Sequence, residues 1–328
     1  MRARADARPR PRVARARQPR PRVARARRTR SRVACRASAV ADAPRERFRA
    51  LLHDAVAHAS ARGVDALSRS SAAWVMDFVR AFGAVRCEGD DSEGAVVDAL
   101  ARGAIRAERA GRGRVAEATD ARTGRDAVCW CAKFGRGDAI RMLARETSSA
   151  GASCSNSGES AVLAACVGAS RALTPTQLSK SSGSSVSGAT WVWADDADVV
   201  ARTRERYCDA LRAVLEVRSS EINRRAANGW TPLAFACRHS DVLGLDFIAA
   251  LLAAPGVDVN LADAQGKTAL MHAASADSAA VCELLRNSGA DASARDERGF
   301  TAAMHAAFRN PSNVALLAAL AADDERVA

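Results

Sequence analysis

The chain has 328 residues, of which 48% are apolar yet only 4% aromatic, with a single tyrosine. Alanine-rich helices joined by short turns accommodate that balance better than a β-sandwich, whose strands favour β-branched and aromatic side chains, so an all-α fold is predicted. The net charge of +12 belongs to one end: residues 1–40 hold fifteen arginines, no lysine and one acid, Asp6, a net +14, and the remainder sums to −2.

The amino-terminal segment repeats itself, PRPRVARAR at 9–17 returning at 19–27. Pro9, Pro11, Pro19 and Pro21 break any long helix and there is little apolar matter to bury, so residues 1–40 are predicted to be a disordered Arg-rich tail. Three readings of it stay open. An Arg-rich, acid-poor start is the composition of an organelle transit peptide. Val33-Ala34-Cys35 followed by Arg36-Ala37 resembles the cleavage region of plastid transit peptides of green algae, which implies the chloroplast, with the nucleus or mitochondrion as alternatives. The second reading is an arm that neutralises phosphates of RNA or DNA. The third is an unstructured end under compositional bias.

Residues 45–118 read as helices, RERFRALLHDAVAHASARG, SSAAWVMDFVRAFGAV and EGAVVDALARGA, and are expected to form a cap or degenerate repeat at the amino-terminal end of a helical stack. From residue 121 a pattern recurs. ARTGRDAVCWCAKFGRGDAIRMLAR turns at Gly124, NSGESAVLAAC at Gly158 and ANGWTPLAFAC at Gly229. DAQGKTALMHAA from Asp263 and DERGFTAAMHAA from Asp296 align without a gap, 33 residues apart. The distance from Gly158 to Gly229 exceeds one such period by 38 residues, which places an insertion near 169–206. Its SSGSSVSGAT stretch has flexible-linker composition, and Trp191 and Trp193 at its edge are expected to clip it to the stack, with a partner site as the alternative. DVVARTRERYCDALRAVLEV then has helical apolar spacing at Val199, Val200, Tyr207, Leu211, Val214 and Leu215. No run of about eighteen apolar residues exists, so no membrane span is expected.

These units resemble the ankyrin repeat, whose pattern is D-x-x-G-x-T-P-L-H-x-A-A, then a second helix, then G-A-D-V-N. The resemblance implies an all-α ankyrin-repeat solenoid over 121–328, about five helix-turn-helix repeats behind a helical amino-terminal cap. Glycine permits the positive φ of the turn, and Thr-Pro starts the first helix as cap and first-turn residue. Alanine pairs let that helix lie close to its neighbours, and leucines of the second helix fill the seam. Met271, Met304, Cys129, Leu163 and Ala234 stand where the family usually has a histidine that braces the turns. Asp126 and Ser160 replace the capping threonine. Local stability is therefore expected to fall below that of an idealised array.

Catalytic and metal chemistry find little support. His272 and His305 occupy equivalent slots of adjacent repeats, whose helices stack about 8–10 Å apart, too far to share a zinc ion. Cys129 and Cys131 are separated by one residue on a helix and so face different ways. The nine cysteines show no regular framework, which suits reduced, buried thiols. No nucleophile elbow and no phosphate-cradling loop is present. No enzyme, cofactor or metal is expected. The resemblance implies instead a concave groove of turn tips and inner helices. The residue after each turn glycine projects there: Arg125, Glu159, Trp230, Lys267 and Phe300. Gln265, Arg298, Arg238 and His239 extend the same face, and Trp230 and Phe300 are expected either to anchor a partner or to pack on the adjacent turn. The expected protein is a monomeric, non-enzymatic adaptor, scaffold or chaperone that binds a client protein. The alternative is a nucleic-acid-associated protein whose tail makes phosphate contacts while the stack recruits a partner.

Overall fold

A computed structural model describes residues 74–83, 91–147, 158–174 and 197–321, with isolated positions from 48 onward. The Arg-rich tail, Trp191 and Trp193 lie outside the described residues. Among the described residues all regular structure is helical, and the helices come in pairs. The pairs are α1 (Val75–Phe82) with α2 (Asp91–Arg109), α3 (Ala127–Lys133) with α4 (Gly137–Glu146), and α5 (Ala161–Leu173) with α6 (Ala197–Arg218). Then α7 (Pro232–Arg238) is followed by a one-turn α8 (Ser240–Leu243) and by its partner α9 (Leu245–Leu252). The last pairs are α10 (Ala269–Ser275) with α11 (Ala279–Asn287) and α12 (Ala302–Arg309) with α13 (Val314–Ala321). First members stack in one layer, α1, α3, α5, α7, α10 and α12 in turn; second members stack in another, α2, α4, α6, α9, α11 and α13.

Helices of seven or eight residues do not persist alone, so their stability comes from the seam between layers. Phe78, Leu100, Ile140, Leu143, Leu211, Phe247, Ile248, Leu251 and Leu270 are fully buried there. Every residue of α3, AVCWCAK, is buried. A helix enclosed on all sides needs small residues to admit its neighbours, and in α3 Ala127, Cys129, Cys131 and Ala132 meet that need. Six cysteines, Cys129, Cys131, Cys166, Cys208, Cys237 and Cys282, are buried free thiols.

The helix starts follow capping chemistry. Thr231 accepts from the Ala234 amide at 3.1 Å with Pro232 behind it. Asp126 and Ser160 cap as well, accepting from Cys129 N at 2.8 Å and Leu163 N at 3.2 Å. Thr268, by contrast, makes no cap bond. The glycines at 229 and 266 have φ of 82° and 74°, which L side chains rarely adopt. They also face the next turn: a Cβ on Gly266 would lie 2.9 Å from the Glu297 amide nitrogen.

Two expectations change. α5 continues to Leu173, past the start expected for the insertion at 169, while α6 begins at Ala197, where the helical spacing of DVVARTRERYCDALRAVLEV places it, and the stretch between the helices is 174–196. The lost histidine brace is present one residue further on. His272 Nε2 lies 2.8 Å from Asp263 Oδ2, and His305 Nε2 lies 2.9 Å from Asp296 Oδ2. The helical rotation of one residue explains it: Met271 is buried to 1% exposure, while His272 faces Asp263 of its own turn.

A buried charge cluster locks the middle of the stack. Asp126, at the start of α3, also accepts from Arg218 Nη2 at 2.5 Å. Glu221 lies 3.5 Å from Arg218 Nη1 and accepts from the Ala161 amide at 2.8 Å. Replacing Arg218 with methionine leaves two buried carboxylates without this cation, which is expected to cost about 3–5 kcal/mol. Urea denaturation measures it, and a loss under about 1 kcal/mol would contradict the assignment.

Candidate functional site

A cavity of about 300 Å³ opens on the turn-tip side of the inner layer. Leu163, Val167 and Arg171 of α5 form one side, and Trp230 with Phe235 of α7 the other. Ala226, Ala227 and Asn228 come from the turn, and Arg125 and Glu159 from the tips before it. Three of the residues expected on the groove, Arg125, Glu159 and Trp230, therefore meet in one place.

Their environments differ from free tips. Arg125 and Glu159 form an ion pair across the repeat boundary, with side chains 15% and 9% exposed. The Arg125 guanidinium also sits 5.2 Å above the Trp130 ring. Their charges satisfy each other, so they shape the cavity more than they present charge to a ligand. Trp230 is half-buried. Its ring meets Phe235 edge-on at 6.1 Å and lies 4.6 Å from His272 of the following repeat. Phe235 in turn lies 4.6 Å from His239, which makes a continuous aromatic run along the groove.

Of the remaining expected residues, Arg238 and His239 lie at the carboxy-terminal end of α7, whereas Gln265, Lys267, Arg298 and Phe300 sit on the two following turns, outside the cavity. Asp263 organises the first of these, accepting from the amides of Gln265 at 2.8 Å and Lys267 at 2.9 Å. Asp296 repeats the pattern with the amides of Arg298 at 2.9 Å and Phe300 at 2.8 Å. The Glu297 amide donates to the Gln265 carbonyl at 3.1 Å and ties one turn to the next. Gln265 and Arg298 are exposed, Lys267 is half-buried, and Phe300 is 45% exposed with its ring 5.9 Å from His305. Phe300 is thus the more accessible of the two aromatic tips.

Phe235, Val167 and Arg171 were not singled out from the sequence. The signal was available: Leu163, Val167 and Arg171 recur every fourth residue, which puts them along one face of a helix that starts just after Glu159. A wider open groove of about 980 Å³ lies between α6 and α9, lined by Arg204, Cys208, Arg212, Leu215, Asp246 and Ala250 among others. It holds none of the expected site residues. Among the described residues no three His, Cys, Asp or Glu side chains gather as metal ligands, and no helix is long and apolar enough to cross a membrane.

The titration of the groove follows its burial. Burial pushes the His272 pKa below its ordinary 6.5, outweighing the pull of Asp263. His239 is lowered too, by burial and then by Arg238. Burial opposes charge on Asp263, yet bonds from the Lys267 amide, His272 and the Gln265 amide bring its pKa below the ordinary value.

Residues 200–296 and 243–326 match the family model of ankyrin repeats, in three copies. That span covers α6 to α13, and the same pairing of helices continues upstream through α1 to α5. No curated protein matches the chain.

A lowered His272 pKa means that the unfolded chain protonates first as pH falls. The stabilisation is complete above about pH 6.5 and is lost as the pH drops below it. Urea midpoints compared at about pH 7.5 and about pH 5.5 should fall on acidification, and His272→Gln should flatten that fall. An equal slope in the variant would contradict the assignment.

Proposed function

We propose that this chain is a non-enzymatic adaptor, scaffold or chaperone that holds a client protein against its concave face, with the Trp230 cavity as the anchor site. Ankyrin repeats are generally protein–protein interaction modules, and the fold does not choose the client. What supports this site is the meeting of Arg125, Glu159 and Trp230 around one apolar cavity of about 300 Å³, at the lower end of ligand-pocket volumes. Aromatic side chains in such a pocket dominate interface energies. The thiols do not suggest catalysis: burial raises the pKa of all six described cysteines, Cys282 to about 12, and a buried thiol of raised pKa is a poor nucleophile.

For residues 1–40 we propose organelle targeting, chloroplast before mitochondrion or nucleus, on their Arg-rich and acid-poor composition. Sequencing the mature amino terminus decides it. A start near residues 34–40 supports cleavage, and an intact tail overturns it in favour of phosphate contacts with nucleic acid.

Trp230→Ala should weaken capture of a client by at least about tenfold. It should also cost about 1–3 kcal/mol of stability, because the ring packs on Phe235 and His272. Phe300→Ala should weaken capture while leaving stability within about 0.5 kcal/mol. Titration calorimetry with a recovered client, beside urea denaturation, separates the two effects. Unchanged binding in both variants would remove the groove assignment.

A further inference from the structure

We infer that the Trp230 cavity selects an acidic peptide segment that inserts one aromatic or aliphatic side chain. The inference rests on the proposed role of the groove as the client site. The pocket surface is apolar where the anchor would lie, against Leu163, Val167, Trp230 and Phe235. The uncommitted charge around it is mostly positive, three cations against Asp241. Arg171 lines the cavity and is exposed. Arg238, exposed at the end of α7, and Lys267 both lie close enough to His272 to oppose its protonation, and His272 packs on Trp230 at 4.6 Å.

None of Arg171, Arg238 and Lys267 makes an ion pair among the described residues. Of the nearby acids, Asp241, exposed at the start of α8, is the uncommitted one. Glu159 pairs with Arg125, and Asp263 holds His272 and two turn amides. The near-neutral sum of the chain beyond residue 40 therefore hides a local excess of positive charge. Positive potential at the mouth of an apolar pocket draws carboxylates and steers their approach, and a cavity of this size suits a single anchor side chain. Single-stranded nucleic acid fits less well, because base stacking needs a free aromatic face and Trp230 already packs against His272 and Phe235.

The test uses the full chain and fluorescein-labelled synthetic peptides read by anisotropy. One peptide carries a central phenylalanine flanked by glutamates. The second replaces that phenylalanine with serine, and the third replaces the glutamates with lysines. The Arg-rich tail attracts any acidic peptide whatever its anchor, so the serine peptide measures the tail. The glutamate–phenylalanine peptide should bind at least about tenfold more tightly than either other. Arg171→Glu with Arg238→Glu should remove that advantage while leaving the serine peptide and the thermal melt unchanged. If the lysine peptide binds as tightly and Trp230→Ala abolishes both, the acidic preference is overturned and the groove stands. If no binding depends on the phenylalanine or on Trp230, both readings fall. Displacement of the peptide by an oligouridylate in a manner that requires Arg171 and Arg238 would also overturn the inference, in favour of a nucleic-acid ligand.

Discussion

Successive turns approach so closely that only glycine fits where they meet. A Cβ at Gly266 would lie 2.9 Å from the Glu297 amide nitrogen, and one at Gly158 would lie 3.0 Å from that of Ala227. At this separation the turn backbones hydrogen-bond directly, as Glu297 does to Gln265, and the first helices below them must be built of small residues. The inner helices are too short to stand alone, so each repeat is stable only where a neighbour covers it. The same spacing makes the groove, because it sets side chains of adjacent repeats, Arg125 with Glu159 and Trp230 with His272, within contact of one another.

The two halves of the stack secure that spacing by different chemistry. Toward the carboxy terminus, one asparagine per repeat grips the backbone of the next. Asn223 donates to the Gly256 carbonyl at 2.7 Å and accepts from the Asp258 amide at 2.9 Å. Asn260 does the same with Gly289 and Asp291 at 3.1 and 2.8 Å. Upstream, where the motif is degenerate, arginine–carboxylate pairs cross the boundaries instead. Arg136 reaches Asp98 on α2, and Arg141 reaches Asp209 at 2.7 Å and Glu216 at 3.3 Å on α6. Amide brackets carry no net charge, whereas ion pairs weaken with salt when exposed. The amino-terminal half of the stack is therefore the more salt-sensitive, with the buried Arg218 cluster as its least screened element.

Much of this was legible because it is local chemistry repeated at a fixed period. The turn glycines, the Thr-Pro start at 231 and 232 and the apolar helix faces each depend on a few consecutive residues. What was not legible depends on register across repeats. That His272 rather than Met271 braces the turn follows from which side of α10 faces Asp263. That Arg125 and Glu159 neutralise each other follows from their being one repeat apart, a spacing of 34 residues, and the pairing turns two expected contact residues into a framework for the pocket. The start of the insertion misled for a simpler reason: Arg171-Ala172-Leu173 is helical in composition but precedes a serine-rich linker, so composition alone set that boundary too early.

A client held on the inner layer around Trp230 would shield the backbone there from solvent. Hydrogen–deuterium exchange of the full chain, with and without a bound client, reads that shielding segment by segment. New protection is expected over residues 158–171 and 226–239, with α4 and the outer face of α6 and α9 unchanged. Protection confined to the α6–α9 groove, or to the arginine tail, would contradict a client site at Trp230.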